Sequence, residues 1–278
     1  MNILVCAKRV PMTGGTIVLT EDEQSIQTRH LGFTISPHEE CGVEEAVRLI
    51  EANGGESVVL ALGPPEAEEQ LRDAMALGID RAILLETADE FDGQATAAAI
   101  VVAIEAERAA GVEFNLIFFG NESADSGNYQ VGIRVAHALG RPCVTGVKGI
   151  TVQDDRVRCE QETASGRDVY DVPLPAVVTV KEGLNLPRYP SVPGRLRAKR
   201  KPLATSTPAG RDPGVEKLRL RLPAGQGKQA EILGHGADAA PGGAGGMTLV
   251  YLEHQDGRVD DASLQAIALA RGIAGGAP

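Results

Sequence analysis

The sequence predicts an α/β fold: a parallel sheet flanked by helices, then a smaller β-rich region and an extended C-terminal arm. Three observations carry this. Short apolar runs in the first half lack the alternation of half-exposed strands. Each run is followed by a stretch whose apolar residues have helical spacing. From about residue 146 the helical stretches stop, and short β-like segments succeed one another.

The first run, Ile3 to Ala7, is apolar throughout and ends at charge, as a buried strand does. Glu40 to Ala52 follows helical spacing. Val43, Ala46, Val47 and Ile50 share one face, while Glu44, Arg48 and Glu51 lie elsewhere. Ser57 to Leu62 is the next strand, closed by Gly63-Pro64. Pro65 to Leu77 is a helix with Glu66, Glu68 and Glu69 at the positive end of its dipole, and Gly78 suits its C-terminal cap. Ala82 to Leu85 is a strand, and Gln94 to Ala110 an Ala-rich helix ended by Gly111. Leu116 to Phe119 is a strand broken at Gly120, and Tyr129 to Leu139 a helix ended by Gly140-Arg141-Pro142. In such sheets ligands lie beyond the carboxyl ends of the strands. The segments to inspect are therefore residues 8–15, 34–40, 62–65 and 120–130.

Val147 to Val152, Val157 to Thr163, Val169 to Val172 and Pro175 to Val180 are shorter β segments, some of them antiparallel. Pro187, Pro190 and Pro193 recur every three residues, which predicts an extended, stiff loop rather than a helix. Arg195 to Lys201 carries five basic residues in seven. That run is either a solvated loop or a docking surface for an acidic partner. Residues 234–246 are a Gly/Ala-rich tract that reads as a flexible linker. It separates residues 1–233 from residues 247–278, where a fresh strand-turn-helix pattern begins.

Composition narrows the function. The chain has 278 residues, 43% hydrophobic and 23% charged, ordinary for a soluble globular protein with a sizeable core. The net charge of -11 disfavours non-specific binding to nucleic acid or to anionic membranes. Aromatic residues are 3% and Trp is absent, which argues against a base-stacking platform. No apolar run approaches a membrane span. The opening MNILVCAKRV is too short and too charged for a signal peptide, which predicts a cytoplasmic location. Cys6, Cys41, Cys143 and Cys159 form no Cys-x-x-Cys pair, so they are expected to be buried, reduced thiols rather than disulfides or metal ligands.

The common phosphate-loop, dinucleotide, zinc-protease and nucleophile-elbow motifs are absent. The most informative early segment is Gly120 to Gly132, which follows a buried strand and opens a helix. Its small polar residues let backbone N–H groups approach a phosphate at the helix N-terminus. Asp125, Ser126 or Asn128 serve equally well as simple caps, and the residues alone leave both readings open. Ser36-Pro37-His38 carries the same ambiguity, with capping favoured.

Residues 172–203, VPLPAVVTVKEGLNLPRYPSVPGRLRAKRKPL, resemble the signature region of the electron transfer flavoprotein beta subunit. VCAKRVP near the start, SPHEECGVEEAVRL at 36–49 and GNESADSGNYQVGIRVAHALGRP at 120–142 agree in order and spacing. The resemblance covers residues 1–233. It implies a Rossmann-like, adenine-nucleotide-hydrolase-like domain paired with a homologous alpha subunit that carries a redox-active FAD. It implies an electron carrier rather than an enzyme. The implied occupant of the beta site is AMP, or a second FAD in electron-bifurcating members.

By the same resemblance, Cys6, Ser36, Pro37, Gly120, Asp125, Gln130, Val131 and Gly132 form the nucleotide site. Leu186, Pro187, Arg188, Tyr189, Pro190 and Val192 dock a dehydrogenase of the acyl-CoA dehydrogenase type or another redox partner. Val192 stands in the anchor position, where Leu is common. Pro11-Met12-Thr13 lies where the family approaches the partner's flavin. Ser36, His38 and Ser126-Gly127-Asn128-Tyr129 depart from the family pattern and leave AMP against FAD open. Residues 247–278 resemble the opening of the alpha subunit, which implies a beta–alpha fusion cut short or a reading-frame change joining neighbouring genes.

Two other readings suit a sheet of this kind. One is an adenine-nucleotide-binding regulator of the universal-stress type, which has no use for residues 172–203. The other is an adenine-nucleotide hydrolase or ligase, which needs a Ser-Gly-Gly-type loop where Lys8-Arg9-Val10-Pro11 stands.

Overall fold

A computed structural model of the chain describes residues 1–12, 17–209, 214–222, 254–255 and 258–259. Strand β1 (Asn2–Ala7) is buried from Ile3 to Cys6 and is the middle strand of the parallel part of the sheet. Two short strands, β2 (Val10–Pro11) and β3 (Phe33–Thr34), pair antiparallel and lead into helix α1 (Pro37–Asn53). Strand β4 (Glu56–Gly63) and a single 3-10 turn precede α2 (Glu68–Leu77) and β5 (Arg81–Glu86). The chain then crosses to the other side of β1 through α3 (Gly93–Ala109), β6 (Leu116–Gly120), α4 (Val131–Leu139) and β7 (Cys143–Gln153). Strands β8 (Arg156–Thr163), β9 (Gly166–Pro173) and β10 (Ala176–Val180) follow, then α5 (Val192–Ala198) and β11 (Leu203–Ser206).

All nine strands from β1 and β4 to β11 form one sheet, in the order β11-β5-β4-β1-β6-β10-β7-β8-β9. The pairings from β11 to β7 are parallel, and β8 and β9 extend the sheet antiparallel. Both faces of the parallel part are covered. Val43, Val47, Leu71 and Met75 of α1 and α2 pack with Val5, Val59, Phe118 and Val178 on one face. Ile100, Ile104 and Val135 of α3 and α4 pack with Leu4, Leu60, Ile117 and Phe119 on the other. This double cover is why the strand runs read as continuously apolar.

Among the described residues the expected elements are present, with four differences. Ala176–Val180 is a fully buried inner strand, parallel to both β6 and β7. The proline-spaced segment is not extended throughout, because α5 starts at Val192. Ser191 caps this helix by accepting from Gly194 N at 3.1 Å, and Pro193 sits in its first turn, where an N–H has no intrahelical partner to lose. Leu203–Ser206 is an edge strand that its polar residues concealed. Cys143 is exposed, whereas Cys6, Cys41 and Cys159 are buried and free.

The basic run is more than a solvated loop. Lys201 Nζ donates to the carbonyls of Met75, Gly78 and Ile79 at the end of α2, and Arg195 pairs with Asp73. The chain divides into two units, Met1–Arg221 and Leu222–Pro278. In the second, β12 (His254–Gln255) pairs antiparallel with β13 (Arg258–Val259). The linker at 234–246, Thr13, the strand Thr248 to Leu252 and the helix over 261–273 lie outside the described residues. Among the described residues no helix is long and apolar enough to cross a membrane.

Candidate functional site

The chain leaves β1 towards β4 on one side and later returns to β6 on the other. Adjacent strands whose connections run to opposite faces leave a crevice beyond their carboxyl ends. Three segments meet there: the end of β1, the start of α1 and the loop after β6.

Glu39 joins the first two. Its Oε1 accepts from Lys8 N at 3.1 Å and its Oε2 from Ser36 N at 2.9 Å, while Glu39 N donates to Ser36 Oγ at 3.2 Å. Ser36 and Glu39 thus form a reciprocal cap on α1. Burial pushes the Glu39 carboxyl up to about 8, against the pull of the two backbone N–H groups. The loop after β6 is tied to the same place. Ser36 Oγ donates to the Glu122 carbonyl at 3.3 Å, and Lys8 Nζ pairs with Asp125 Oδ2 at 2.6 Å. Partial burial raises the Asp125 carboxyl, but the Lys8 ammonium together with hydrogen bonds from Ser123 and the Ser126 backbone outweighs it and holds the group below its ordinary range.

Gly120 lets these segments close. A Cβ there would stand 2.7 Å from Glu39 Cγ and 3.3 Å from Glu39 N. Below it, Thr179 Oγ1 accepts from Gly146 N and donates to Asn121 Oδ1, each at 3.0 Å. Gly132 has the same role under α4, since a Cβ would lie 2.9 Å from Thr179 Cγ2.

The helix starts at this edge differ. Ser36 and Glu39 satisfy α1, and Asp92 Oδ1 accepts from Ala95 N at 2.7 Å to satisfy α3. Helix α4 has no side-chain cap; its N-cap residue, Gln130, accepts from Arg134 Nε instead. Gln130 also lies against Gly93 at the start of α3. The first turn of α4 therefore offers backbone N–H groups to an anion.

Of the expected nucleotide residues, Ser36, Gly120 and Asp125 converge with Lys8 and Glu39, and Gln130, Val131 and Gly132 head α4. Pro37 is exposed at the first position of α1. Cys6 is buried in the core with residues of α3 and α4. Lys8, Glu39, Glu122 and Thr179 line this candidate site and are residues that sequence reasoning missed. The Ser-x-x-Glu pattern at 36–39 is the signal for one of them.

The expected docking residues lie elsewhere, after β10. Leu186 is 91% exposed, Tyr189 97% and Val192 73%, which leaves their apolar surface uncovered. Pro187 and Pro190 are half-buried. Arg188 turns the other way and grips α1 through Glu44 and Glu51.

The strand order and the crevice at its switch point define a doubly wound α/β protein. A family model described as the Electron transfer flavoprotein domain matches residues 25–210. The electron transfer flavoprotein subunit beta of Bacillus subtilis (strain 168) is 35% identical over 205 residues, covering 73% of this chain and 77% of the relative. That of Syntrophomonas wolfei is 35% identical over 224 residues, covering 80% and 86%. The caffeyl-CoA reductase-Etf complex subunit CarD of Acetobacterium woodii is 33% identical over 208 residues, covering 73% and 77%. The chain belongs to the electron transfer flavoprotein family, among its beta subunits, which are electron carriers and not enzymes.

Proposed function

We propose that this chain is the beta half of a two-subunit electron carrier. It holds an adenine nucleotide in the crevice between β1 and β6, pairs with an FAD-bearing alpha subunit, and docks a redox protein through residues 186–192. The observation that carries the nucleotide is the uncapped start of α4, directly after β6, opposite a helix across the crevice, α1, whose start is capped by its own side chains. A phosphate seated on the first turn of α4 supplies the missing acceptor. AMP fits this donor set, and a second FAD presents the same adenosine phosphate to it. Gln130 heads α4, where it would stand beside such a phosphate, and Gly120 and Gly132 leave room at the floor of the crevice.

The redox chemistry would be supplied by an FAD on the alpha subunit. This chain orients that subunit and brings the electron donor to it. Exposed apolar side chains on a stiff segment suit insertion into a partner's pocket. Similarity to a subunit of a caffeyl-CoA reductase complex supports a partner acting on CoA esters. Leu186, Tyr189 and Val192 are the contact residues in this reading. The cytoplasm is the compartment proposed.

The test is co-expression with a candidate alpha subunit, followed by denaturation and chromatography of the released small molecules. AMP together with FAD is expected, and FAD in twofold amount assigns the second FAD to the beta site. Release of FAD alone in equimolar amount, with no AMP binding by calorimetry, overturns the nucleotide assignment.

A further inference from the structure

We propose that Arg188 is a positioning residue: held by Glu44 and Glu51, it seats residues 185–190 on α1 and presents Leu186 and Tyr189, beside Val192 at the start of α5, to a redox partner in a preformed arrangement. The inference rests on the docking reading above and deepens it.

The apolar side chains of this segment do not anchor it. Leu186 and Tyr189 are almost wholly exposed and bury little against the domain. The segment is held instead by polar contacts along one side of α1. Glu182 N donates to His38 Nδ1 at 2.7 Å. Asn185 Nδ2 donates to the Cys41 carbonyl at 3.0 Å and to Glu45 Oε2 at 2.9 Å. Arg188 N donates to Glu44 Oε2 at 3.1 Å. The Arg188 guanidinium then spans two carboxylates. Its Nε lies 2.9 Å from Glu44 Oε2 and its Nη2 3.0 Å from Glu44 Oε1. Its Nη1 and Nη2 reach the two oxygens of Glu51 at 2.7 and 3.0 Å.

His38, Cys41, Glu44 and Glu45 recur at helical spacing, and Glu51 continues the line two turns on. The segment is thus fastened at successive turns, and Arg188 makes the most bonds. The Glu44 side chain is only 5% exposed, so its carboxylate depends on this partner. The fork of the guanidinium matters, because an ammonium cannot pair with both carboxylates in this planar manner. Without the clamp the segment samples many arrangements. Apparent affinity for a partner then falls by the fraction that remains competent.

The test uses the complex with an FAD-loaded alpha subunit and, as probe, an acyl-CoA dehydrogenase reduced by its acyl-CoA. Arg188→Ala combined with Glu44→Ala removes the clamp without leaving a buried carboxylate unpaired. We expect KM for the dehydrogenase to rise about tenfold with kcat unchanged, as for a competent fraction of about one tenth. Amide exchange over 184–190 should quicken by a similar factor, while α1, the sheet and the nucleotide content stay as in the parent. Arg188→Lys should raise KM about threefold, and it decides the case if the double variant does not fold. Val192→Asp separates the two readings. If it raises KM and the Arg188 variants do not, positioning by Arg188 is overturned and docking stands. If Val192→Asp leaves KM unchanged, the docking reading fails and the inference falls with it.

Discussion

The crevice and the docking segment are both reached through α1, and they use side chains in opposite ways. At the crevice, polar groups are hidden: Ser36, Glu39 and Thr179 are buried and hydrogen-bonded to neighbouring segments. On the docking segment, apolar groups are displayed, and the polar ones face inward to α1. A pocket that has satisfied its own polar atoms leaves only chosen donors for a ligand, here the first turn of α4. A segment that has spent its polar atoms on its own scaffold leaves only apolar surface for a partner. On the proposed reading, small-ligand and protein recognition are kept apart in one domain, and perturbing either should leave the other intact.

The strongest way to break this separation is Gly120→Ala. The added Cβ meets Glu39 Cγ at 2.7 Å and backbone at 3.3 Å, so the end of β6 and the start of α1 must part. Overpacking of this kind costs about 1–3 kcal/mol. Calorimetry with AMP should show a loss of affinity of at least about thirtyfold, and thermal unfolding a lower Tm. KM for the dehydrogenase should not change if the two regions are independent.

The next effect is pH-dependent and belongs to the crevice alone. Folding raises the Glu39 carboxyl to about 8. Between its ordinary range and that value the folded chain keeps a proton that the unfolded chain has lost. The contribution to stability is therefore full below about pH 4.5 and is lost as pH rises through about 8. Denaturant unfolding from pH 5 to pH 9 should show a decline on the order of 2 kcal/mol, reduced by half or more in Glu39→Gln. An unchanged slope in the variant would sink the assignment. Val192→Asp is smaller. It adds a charge that the partner must desolvate, and KM should rise about tenfold while AMP affinity holds. Aspartate at the first turn of α5 suits the helix dipole, so folding should be unaffected.

Much of the fold was legible because its signals are local. Buried parallel strands such as Leu116–Gly120 are uniformly apolar, and Gly78, Gly111 and Gly140 follow helices at the expected places. What was missed depends on distant partners or on one position in a turn. The prolines at 187, 190 and 193 look alike in sequence, yet Pro193 falls inside a helix because Ser191 caps it. Leu203–Ser206 shows no strand pattern in sequence because an edge strand need not bury its side chains. The crevice was legible as backbone segments and not as side chains. Lys8 and Asp125 are 117 residues apart, and Glu44 and Arg188 are 144 apart, so neither pair announces itself. Glu39 was within reach, through the capping-box spacing from Ser36.

The finest comparison is between two serines with the same task. Ser36 caps α1 and Ser191 caps α5, each accepting an N–H three residues on, and each is followed by a proline in the first turn. Their surroundings differ. Ser36 is fully buried, and its hydroxyl also reaches the Glu122 carbonyl; Ser191 is exposed. Removing a cap leaves a donor without an acceptor, and water can repair that only where it has access. Ser36→Ala should therefore cost about 1–2 kcal/mol and lower Tm by about 2–5 °C. It should weaken AMP binding about threefold, because α1 and the loop after β6 lose a shared contact. Ser191→Ala should cost no more than about 0.5 kcal/mol, since water replaces the hydroxyl. Its effect should appear in KM for the dehydrogenase, through fraying of the turn that carries Val192, and not in AMP affinity. Equal stability losses for the two variants, or an exchange of their two binding effects, would show that the crevice and the docking segment are not separate devices.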